Sequence, residues 1–287
     1  MSVSLKIDLH MHTSVSDGTD TPEEIVECVR EAGIKIFSVT DHDAFKAACI
    51  IPDLVGGDMQ FITGAEFSTR DEGGKYHVLG YGFDPESPSI IELTEMGHEN
   101  RLKKVRSRLE FLSADFGFNF SEEDVKELLS LDNPGKPHIG KLMVKYGYAE
   151  SINQAIKEYI NSKRITTHYI EPQFAIEKII AGGGVPVLAH PSYGDGDQLI
   201  LGEEMEERLT RLVGFGLQGV EAYYSGFTPK ITREMLGFAE QFGLFVTAGS
   251  DYHGENKMIE LGDTGLDFAD ELPEGMLRFL DRCGVSH

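Results

Sequence analysis

A chain of 287 residues with 40% hydrophobic content can bury a sizeable core, and it has the length of one large α/β barrel or of one domain carrying an insertion. Its 48 Asp and Glu against 26 Lys and Arg give a formal charge of −22, a field that repels long phosphate backbones and concentrates cations. Cys28, Cys49 and Cys283 are too few and too scattered for a disulfide framework or a CxxC zinc site, so a reducing, cytoplasmic setting is expected, with no apolar leader and no membrane-length apolar run.

The elements alternate from the start. "SLKID" reads as a strand and "TPEEIVECVREAG" as a helix, with Thr21 as its cap, Pro22 in its first turn, Glu24 closing a capping box and Gly33 ending it. "IKIFSVT" is a nearly continuous apolar run of the kind buried on both faces of a parallel sheet. "QFITGAEF" and "YHVLGYG" follow as further strands. From about residue 89 to 165 the text turns helical and charged, with Leu102, Val105, Leu109 and Leu112 on one face of "NRLKKVRSRLEFL". Short helices continue through "SEEDVKELLSL", "HIGKLMVKYG" and "SINQAIKEYIN". Alternation then returns: helix "QFAIEKIIAGGG", strand "VPVLAH", helix "EEMEERLTRLVGFG", strand "QGVEAYY", helix "ITREMLGFAEQFG", strand "LFVTAGSDYH". The seven strands in βα order predict a barrel or a doubly wound sheet, with residues 1–95 and 166–287 forming one discontinuous unit and 96–165 an inserted helical one over its rim.

Each strand delivers metal-ligand chemistry at or near its carboxyl end. The first ends in His10 and His12, which share a side because residues two apart on a strand point the same way. The second ends in Asp41 and His42, the third in Glu66; the fourth holds His77, the fifth ends in His190, the sixth carries Glu221, and the seventh ends in Asp251 and His253. In a βα barrel these ends meet at one rim, and His with carboxylate suits zinc, manganese or iron. Asp41 is expected to orient His42 or to serve as a turn residue, and neither it nor Glu221 is counted as a ligand.

The segments "DLHMHTSVSDGT", "VTDHD", "ITGAEF", "HVLGYG", "GGVPVLAHP", "GVEAYY" and "AGSDYHG" together resemble the PHP (polymerase and histidinol phosphatase) family of metal-dependent phosphoesterases, over about residues 5–95 and 170–255. The insertion, with "NPGKPHIGKLMVKYGY", is similar to that of the small stand-alone bacterial branch. The resemblance implies a distorted seven-stranded βα (TIM-like) barrel with two or three divalent ions. It assigns His10, His12, Glu66 and Asp251 to a first metal, Asp17, His42 and His253 with bridging Glu66 to a second, and Glu66, His77 and His190 to a third. It also implies attack on phosphorus by a hydroxide bridging the first two metals, with Glu66, His190 and Asp251 as the catalytic set. His190 and His138 are the candidates for protonating the leaving group.

Substrate contacts are expected from the insertion. Arg101, Lys103, Lys104, Arg106 and Arg108 crowd one helix, an arrangement usually explained as a solvated face, yet Arg101 and Arg108 lie seven apart and so on one side. Lys136 and His138 open another helix, where an anion would be favoured. Tyr224 and Ser225 follow the sixth strand. The expected substrate is a small phosphorylated metabolite, first a nucleoside 3′,5′-bisphosphate and second a cyclic sugar or nucleotide phosphate, with no long nucleic acid and no membrane partner. Rival readings are amidohydrolase chemistry on a similar barrel and a catalytically silent nucleotide-binding module.

Overall fold

The computed structural model describes residues 5–194, 198–266 and 271–287. Ser4, at the head of the expected first strand, lies outside the described residues. The strands are β1 Ile7–Asp8, β2 Ile36–Phe37, β3 Gln60–Phe61, β4 Gly64–Asp71, β5 Gly74–Tyr81, β6 Val185–Leu188, β7 Gly219–Tyr224 and β8 Phe245–Gly249. The helices are α1 Pro22–Glu31, α2 Lys46–Ile50, α3 Pro88–Phe116, α4 Glu122–Leu129, α5 Lys136–Lys145, α6 Ile152–Gln154, α7 Pro172–Ala181, α8 Gly202–Gly214, α9 Pro229–Phe242 and α10 Glu274–Arg282. The expected helix starts appear where the caps predict them. Thr21 accepts from the Glu24 amide while the Glu24 carboxylate accepts from the Thr21 amide, and Ser121 and Thr228 cap α4 and α9 by accepting the amides of Asp124 and Ile231.

The fold is mixed α/β, built on two sheets: a parallel one ordered β1-β2-β3 and a five-stranded one ordered β4-β5-β6-β7-β8. The second departs from the expected run of parallel βα units. β4 and β5 are an antiparallel hairpin, registered from Gly64 opposite Tyr81 to Asp71 opposite Gly74, and β5 also pairs antiparallel with β6. The linker leaves no alternative, because a parallel pair needs a crossover of a dozen or so residues, whereas Glu72 and Gly73 join these strands, with Gly74 at φ +126°. "QFITGAEF" is accordingly two strands, β3 and β4, not one.

Between the sheets the ladders give way to single backbone bonds. Leu9 donates to Ala248, Asp251 to His10 and His12 to Tyr252, tying β1 to the end of β8; Asp43 donates to Glu66 and Glu66 to Asp41, tying the end of β2 to β4. These are the positions of the ligand-type residues. Strand ends without a regular ladder are free to turn their side chains into a common mouth. Asp43, His190 and Asp251 also take left-handed backbone conformations, with φ of 49°, 27° and 60°, each of which costs a non-glycine residue on the order of 1–3 kcal/mol.

The apolar core follows the same division. The largest cluster, including Phe67, Tyr81, Ile176, Val220 and Phe279, fills the space around the five-stranded sheet, and Met11, Ile25, Val29, Phe37 and Val39 fill that behind α1. A third cluster, including Val105, Leu112, Leu128, Ile139 and Ile160, draws only on α3 to the turns after α6. "NRLKKVRSRLEFL" is the second half of one 29-residue helix, α3. Among the described residues no helix is long and apolar enough to cross a membrane.

Candidate metal centre

Nine side chains predicted as ligands converge at one mouth. His10 and His12 follow β1 in extended backbone, and their Nε2 atoms lie 3.2 Å apart. Both face Glu66 Oε2, at 3.6 and 3.4 Å, and Asp251 Oδ1, at 3.5 and 3.4 Å. Glu66 is central: Oε2 lies 2.9 Å from His42 Nδ1, while Oε1 lies 2.7 Å from His77 Nδ1 and 3.1 Å from His190 Nε2. Asp17 Oδ1 lies 3.3 Å from His253 Nε2 and 3.9 Å from both His42 Nε2 and His12 Nδ1.

Three sets of atoms are close enough to share an ion: His12, Asp17, His42 and His253; His10, His12 and Glu66; and His42, Glu66 and His77. They differ in detail from the sets implied by resemblance. His12 joins the second, His42 stands with Glu66 and His77 in the third, and neither Asp251 nor His190 falls in any of the three, although His190 Nε2 lies 3.1 Å from Glu66 Oε1 and its ring centre 5.1 Å from that of His77. The donor chemistry fits borderline divalent cations. So does one local anomaly: His42 Nδ1 and Glu66 Oε2 are buried 2.9 Å apart, yet neither is aligned to form a hydrogen bond. Unpaired buried polar atoms are costly, and an ion between them would satisfy both.

Neighbours hold these groups in place. His10 Nδ1 lies 2.9 Å from Glu221 Oε1, and the His190 amide donates to Glu221 Oε2 at 2.6 Å, so Glu221 orients both strand ends and leaves His10 Nε2 facing the mouth. Asp41 accepts from the Thr13 amide, the Thr13 hydroxyl and the Ser16 hydroxyl at 2.6–2.8 Å. It braces the loop after His12 and does not hydrogen-bond to His42, contrary to the first expectation for it. Tyr224 donates its hydroxyl to Asp251 Oδ2 at 2.8 Å, and Lys257 donates to the same oxygen at 2.5 Å.

Charge within the cluster is strongly redistributed. Burial opposes ionisation of Glu66, Asp17 and Asp251, but surrounding imidazoles, and Lys257 beside Asp251, hold all three carboxyls well below the ordinary range. Burial also opposes protonation of His10, and Glu221, Glu66 and Asp251 outweigh it, so its imidazole is raised well above its usual value. Burial and the neighbouring His253 push His12 well below. The three carboxyls are thus held in the anionic form a divalent cation requires, His12 and His77 are pushed toward the neutral form, and His10 and His253, raised by their carboxylate neighbours, would release a proton on becoming ligands.

The mouth opens into a cavity of about 300 Å³ lined on one side by Asp17, His42, His77 and His253. Lys75, Arg101, Lys104, Arg108 and Lys136 line the rest, with Tyr169 and Lys257. Of the basic run on α3, positions 101, 104 and 108 share the inward face, while Lys103 and Arg106 are exposed. Arg101 is fixed by Asp43 Oδ2, 3.1 Å from its Nε and 2.8 Å from its Nη2. Lys136 and Arg101 thus line the cavity as predicted. His138 does not: its Nδ1 accepts the Gly135 amide at 3.1 Å, capping α5, and the side chain borders a different depression with Leu128 and Leu142. Ser225 donates to the Ser250 carbonyl, and Tyr224 is spent on Asp251, so both support the β7 and β8 ends without lining the cavity. Lys75, Tyr169 and Lys257 were not singled out from the sequence, and Lys104 was named only within the basic run; for Lys104 the spacing of three from Arg101 was the available signal that it shares the inward face, and for Lys257 a cation six residues past a ligand-type Asp.

The PHP domain model matches residues 8–281, and the chain belongs to that family. It is 28% identical over 277 residues to the 5′-3′ exoribonuclease of Haemophilus influenzae, covering 93% of this chain and 96% of that one. It is 28% identical to the phosphoribosyl 1,2-cyclic phosphate 1,2-diphosphodiesterase of Eggerthella lenta, covering 86% and 94%, and 25% identical to the 3′,5′-nucleoside bisphosphate phosphatase of Chromobacterium violaceum, covering 86% and 87%. A solved Bifidobacterium adolescentis structure, described as a candidate metal-dependent phosphoesterase, superposes with a TM-score of 0.81 at 27% identity, covering 98% of this chain and 97% of that one.

Proposed function

We propose that this chain is a divalent-metal-dependent phosphoesterase that releases phosphate from a small substrate carrying a second phosphate, a nucleoside 3′,5′-bisphosphate above all. The observation that carries this reading is the cavity itself: four of the nine ligand-type side chains, Asp17, His42, His77 and His253, at its base and six cations across its wall, in a chain of charge −22. The fold is read as one distorted βα barrel, residues 1–95 and 166–287, with 96–165 as the helical insertion that supplies most of that wall.

His10, His12, Glu66 and Asp251 would hold one ion, Asp17, His42 and His253 a second, and Glu66, His77 and His190 a third. Such ions, when bound, activate water and neutralise charge on the phosphoryl oxygens. The rest is done by side chains. Glu221 keeps His10 Nε2 turned to the mouth, and Tyr224 and Lys257 keep Asp251 Oδ1 turned there by occupying Oδ2. Arg101, held by Asp43, and Lys104 and Lys136 bind the non-reacting phosphate, so that its binding positions the scissile one. His190 stands at the edge of the cluster, its Nε2 against Glu66, and in the alternative where it is not a ligand of the third ion it is the candidate for handling the leaving oxygen's proton.

The test is phosphate release by protein loaded with manganese, zinc or iron, from a nucleoside 3′,5′-bisphosphate, a cyclic sugar phosphate and an amide panel. Faster release from the bisphosphate is expected. No release from any phosphate ester in any of the three metals contradicts the reading. Amide hydrolysis with one bound ion would favour the amidohydrolase alternative.

A further inference from the structure

One cation of the cavity wall differs from its neighbours in what it touches. Arg101 is bonded to Asp43 and Lys136 to Asn161, with Asp17 facing Lys136 beyond bonding distance, and Lys104 lies over the Tyr169 ring. None of these three is bonded to a ligand-type residue. Lys257 is. Its amine donates to Asp251 Oδ2 at 2.5 Å, while Asp251 Oδ1 lies 3.5 Å from His10 Nε2 and 3.4 Å from His12 Nε2. A single carboxylate group thus separates this ammonium from the first set of ligand atoms. Its charge also acts on Asp17 and Glu66, the other two ligand-type carboxylates. The side chain lines the cavity beside Asp17, His253 and Asn256 and keeps 37% exposure, so it is open to what the cavity holds.

The chain fixes this amine in advance. Lys257 follows a single 3-10 turn, Gly254–Asn256, and its amide donates to the Gly254 carbonyl. The turn is tied to the loop that carries Asp17: Asn256 Nδ2 donates to the Asp17 carbonyl at 2.8 Å, and the Glu255 amide donates to Thr19 Oγ1 at 3.0 Å. A donor held in this way needs no reorganisation when charge develops beside it. Nor is the lysine required to aim Asp251. Tyr224 donates to the same Oδ2 at 2.8 Å and is buried, so it fixes the carboxylate by itself. An ammonium has three N–H donors, and the contact with Asp251 uses one of them. The others are left for an oxygen in the cavity.

We infer that Lys257 is a catalytic residue: its ammonium contacts the phosphoryl group being cleaved and neutralises charge that builds on the phosphoryl oxygens in the transition state. Arg101, Lys104 and Lys136 act on the part of the substrate that does not react. This rests on the phosphoesterase reading of the centre. In that hydrolysis the oxygen of one water bonds to phosphorus, and the bond from phosphorus to the leaving oxygen breaks. One proton of the water stays with the released phosphate and the other ends on the leaving alcohol. Lys257 keeps its own protons throughout.

The test compares Lys257→Met and Lys257→Arg with the unaltered protein on a nucleoside 3′,5′-bisphosphate, with whichever of manganese, zinc or iron supports phosphate release. In Lys257→Met kcat is expected to fall about 100-fold while KM changes less than about threefold, the pattern of an interaction made only in the transition state. Lys257→Arg keeps the charge and should bring kcat to within about tenfold of the unaltered protein. Calorimetric titration of the same metal into chelator-treated protein reads any support given to Asp251. Because Tyr224 still holds that carboxylate, metal affinity in Lys257→Met should stay within about threefold. Orthovanadate, which takes the five-coordinate shape of the transition state, should bind Lys257→Met about 100-fold more weakly, and inorganic phosphate about equally. Metal affinity lowered about 10–100-fold, with kcat restored by excess metal, would make Lys257 a support for Asp251 and overturn the inference. A raised KM at unchanged kcat would place it with the substrate-binding cations and overturn it as well. Both results leave the phosphoesterase reading intact, whereas no turnover by the unaltered protein removes both.

Discussion

Lys104 offers a quantitative test of the cation-lined cavity. Its side chain is 6% exposed, and burial lowers its amine from the ordinary 10.5 to about 7; Asp43 pulls it back up and Arg101, Arg108 and Lys75 push it further down. The gap corresponds to about 5 kcal/mol of opposition to the charged form. The sign follows from the depressed folded value: between pH 7 and 10.5 the unfolded chain binds more protons than the folded one, so this group's contribution to stability rises with pH across that window and is lost as pH falls through 7. A dianion in the cavity reverses the balance, since one unit charge at about 4 Å and an effective dielectric of about 20 is worth about 4 kcal/mol, enough to return the amine near its ordinary value. At pH 8 the free amine is about one-tenth protonated, so anion binding should take up about 0.9 proton at Lys104. Lys136, lowered to about 8, should take up about 0.5 more. Sulfate is the suitable probe because it does not titrate in this range. Calorimetry of sulfate binding to chelator-treated protein at pH 8, in two buffers of different ionisation enthalpy, reads the uptake directly. Lys104→Gln should remove about two-thirds of it. Uptake below about 0.2 proton, or uptake unchanged in the variant, would refute the reasoning.

Three further outcomes follow from the packing. Arg101→Ala leaves buried Asp43 without its guanidinium partner, with the Ser68 amide and the charge of Lys104 facing it, and should cost about 3–5 kcal/mol in urea denaturation; a loss under 1 kcal/mol would mean that the pair does not anchor α3. Gly249→Ala would put a methyl group 2.2 Å from His10 Cβ and 2.4 Å from Glu221 Oε1. It should weaken metal binding about 10–100-fold by displacing the imidazole and its orienting carboxylate, and unchanged metal titration would contradict that role for Glu221. Glu66→Gln keeps the shape of the side chain but removes its charge, and phosphate release should fall more than about 100-fold, with bound metal falling in parallel.

The ligand cluster was legible in the sequence because each member sits at or beside a strand end, and the alternation of apolar strands with capped helices says which ends come together. His10 and His12 are the clearest case, since extended backbone puts both on one side whether or not the ladder continues. The antiparallel turn of the sheet is signalled by "DEGGKY", since a linker this short permits only a hairpin, but the composition of the two strands carries no sign of their direction. The helical tract could be located but not its inward face in full, because Lys103 and Lys104 differ only in which way a half-buried helix turns, and that depends on contacts with Asp43 and Tyr169 from distant segments. His138 was drawn toward the substrate by chemistry alone, whereas the open amide of Gly135 at the start of α5 claims its ring. Overall acidity also misled: a charge of −22 says nothing about a cavity whose walls gather six cations.

The central claim is that the nine side chains around Glu66 act together as a site for more than one divalent cation. Elemental analysis of purified, metal-replete protein, with anomalous scattering from its crystals, tests this most directly. The account predicts two or three ions per chain, each within about 2.0–2.3 Å of His nitrogen or carboxylate oxygen, and their loss in Glu66→Gln. Fewer than one ion per chain, or ions bound elsewhere and indifferent to Glu66, would contradict it.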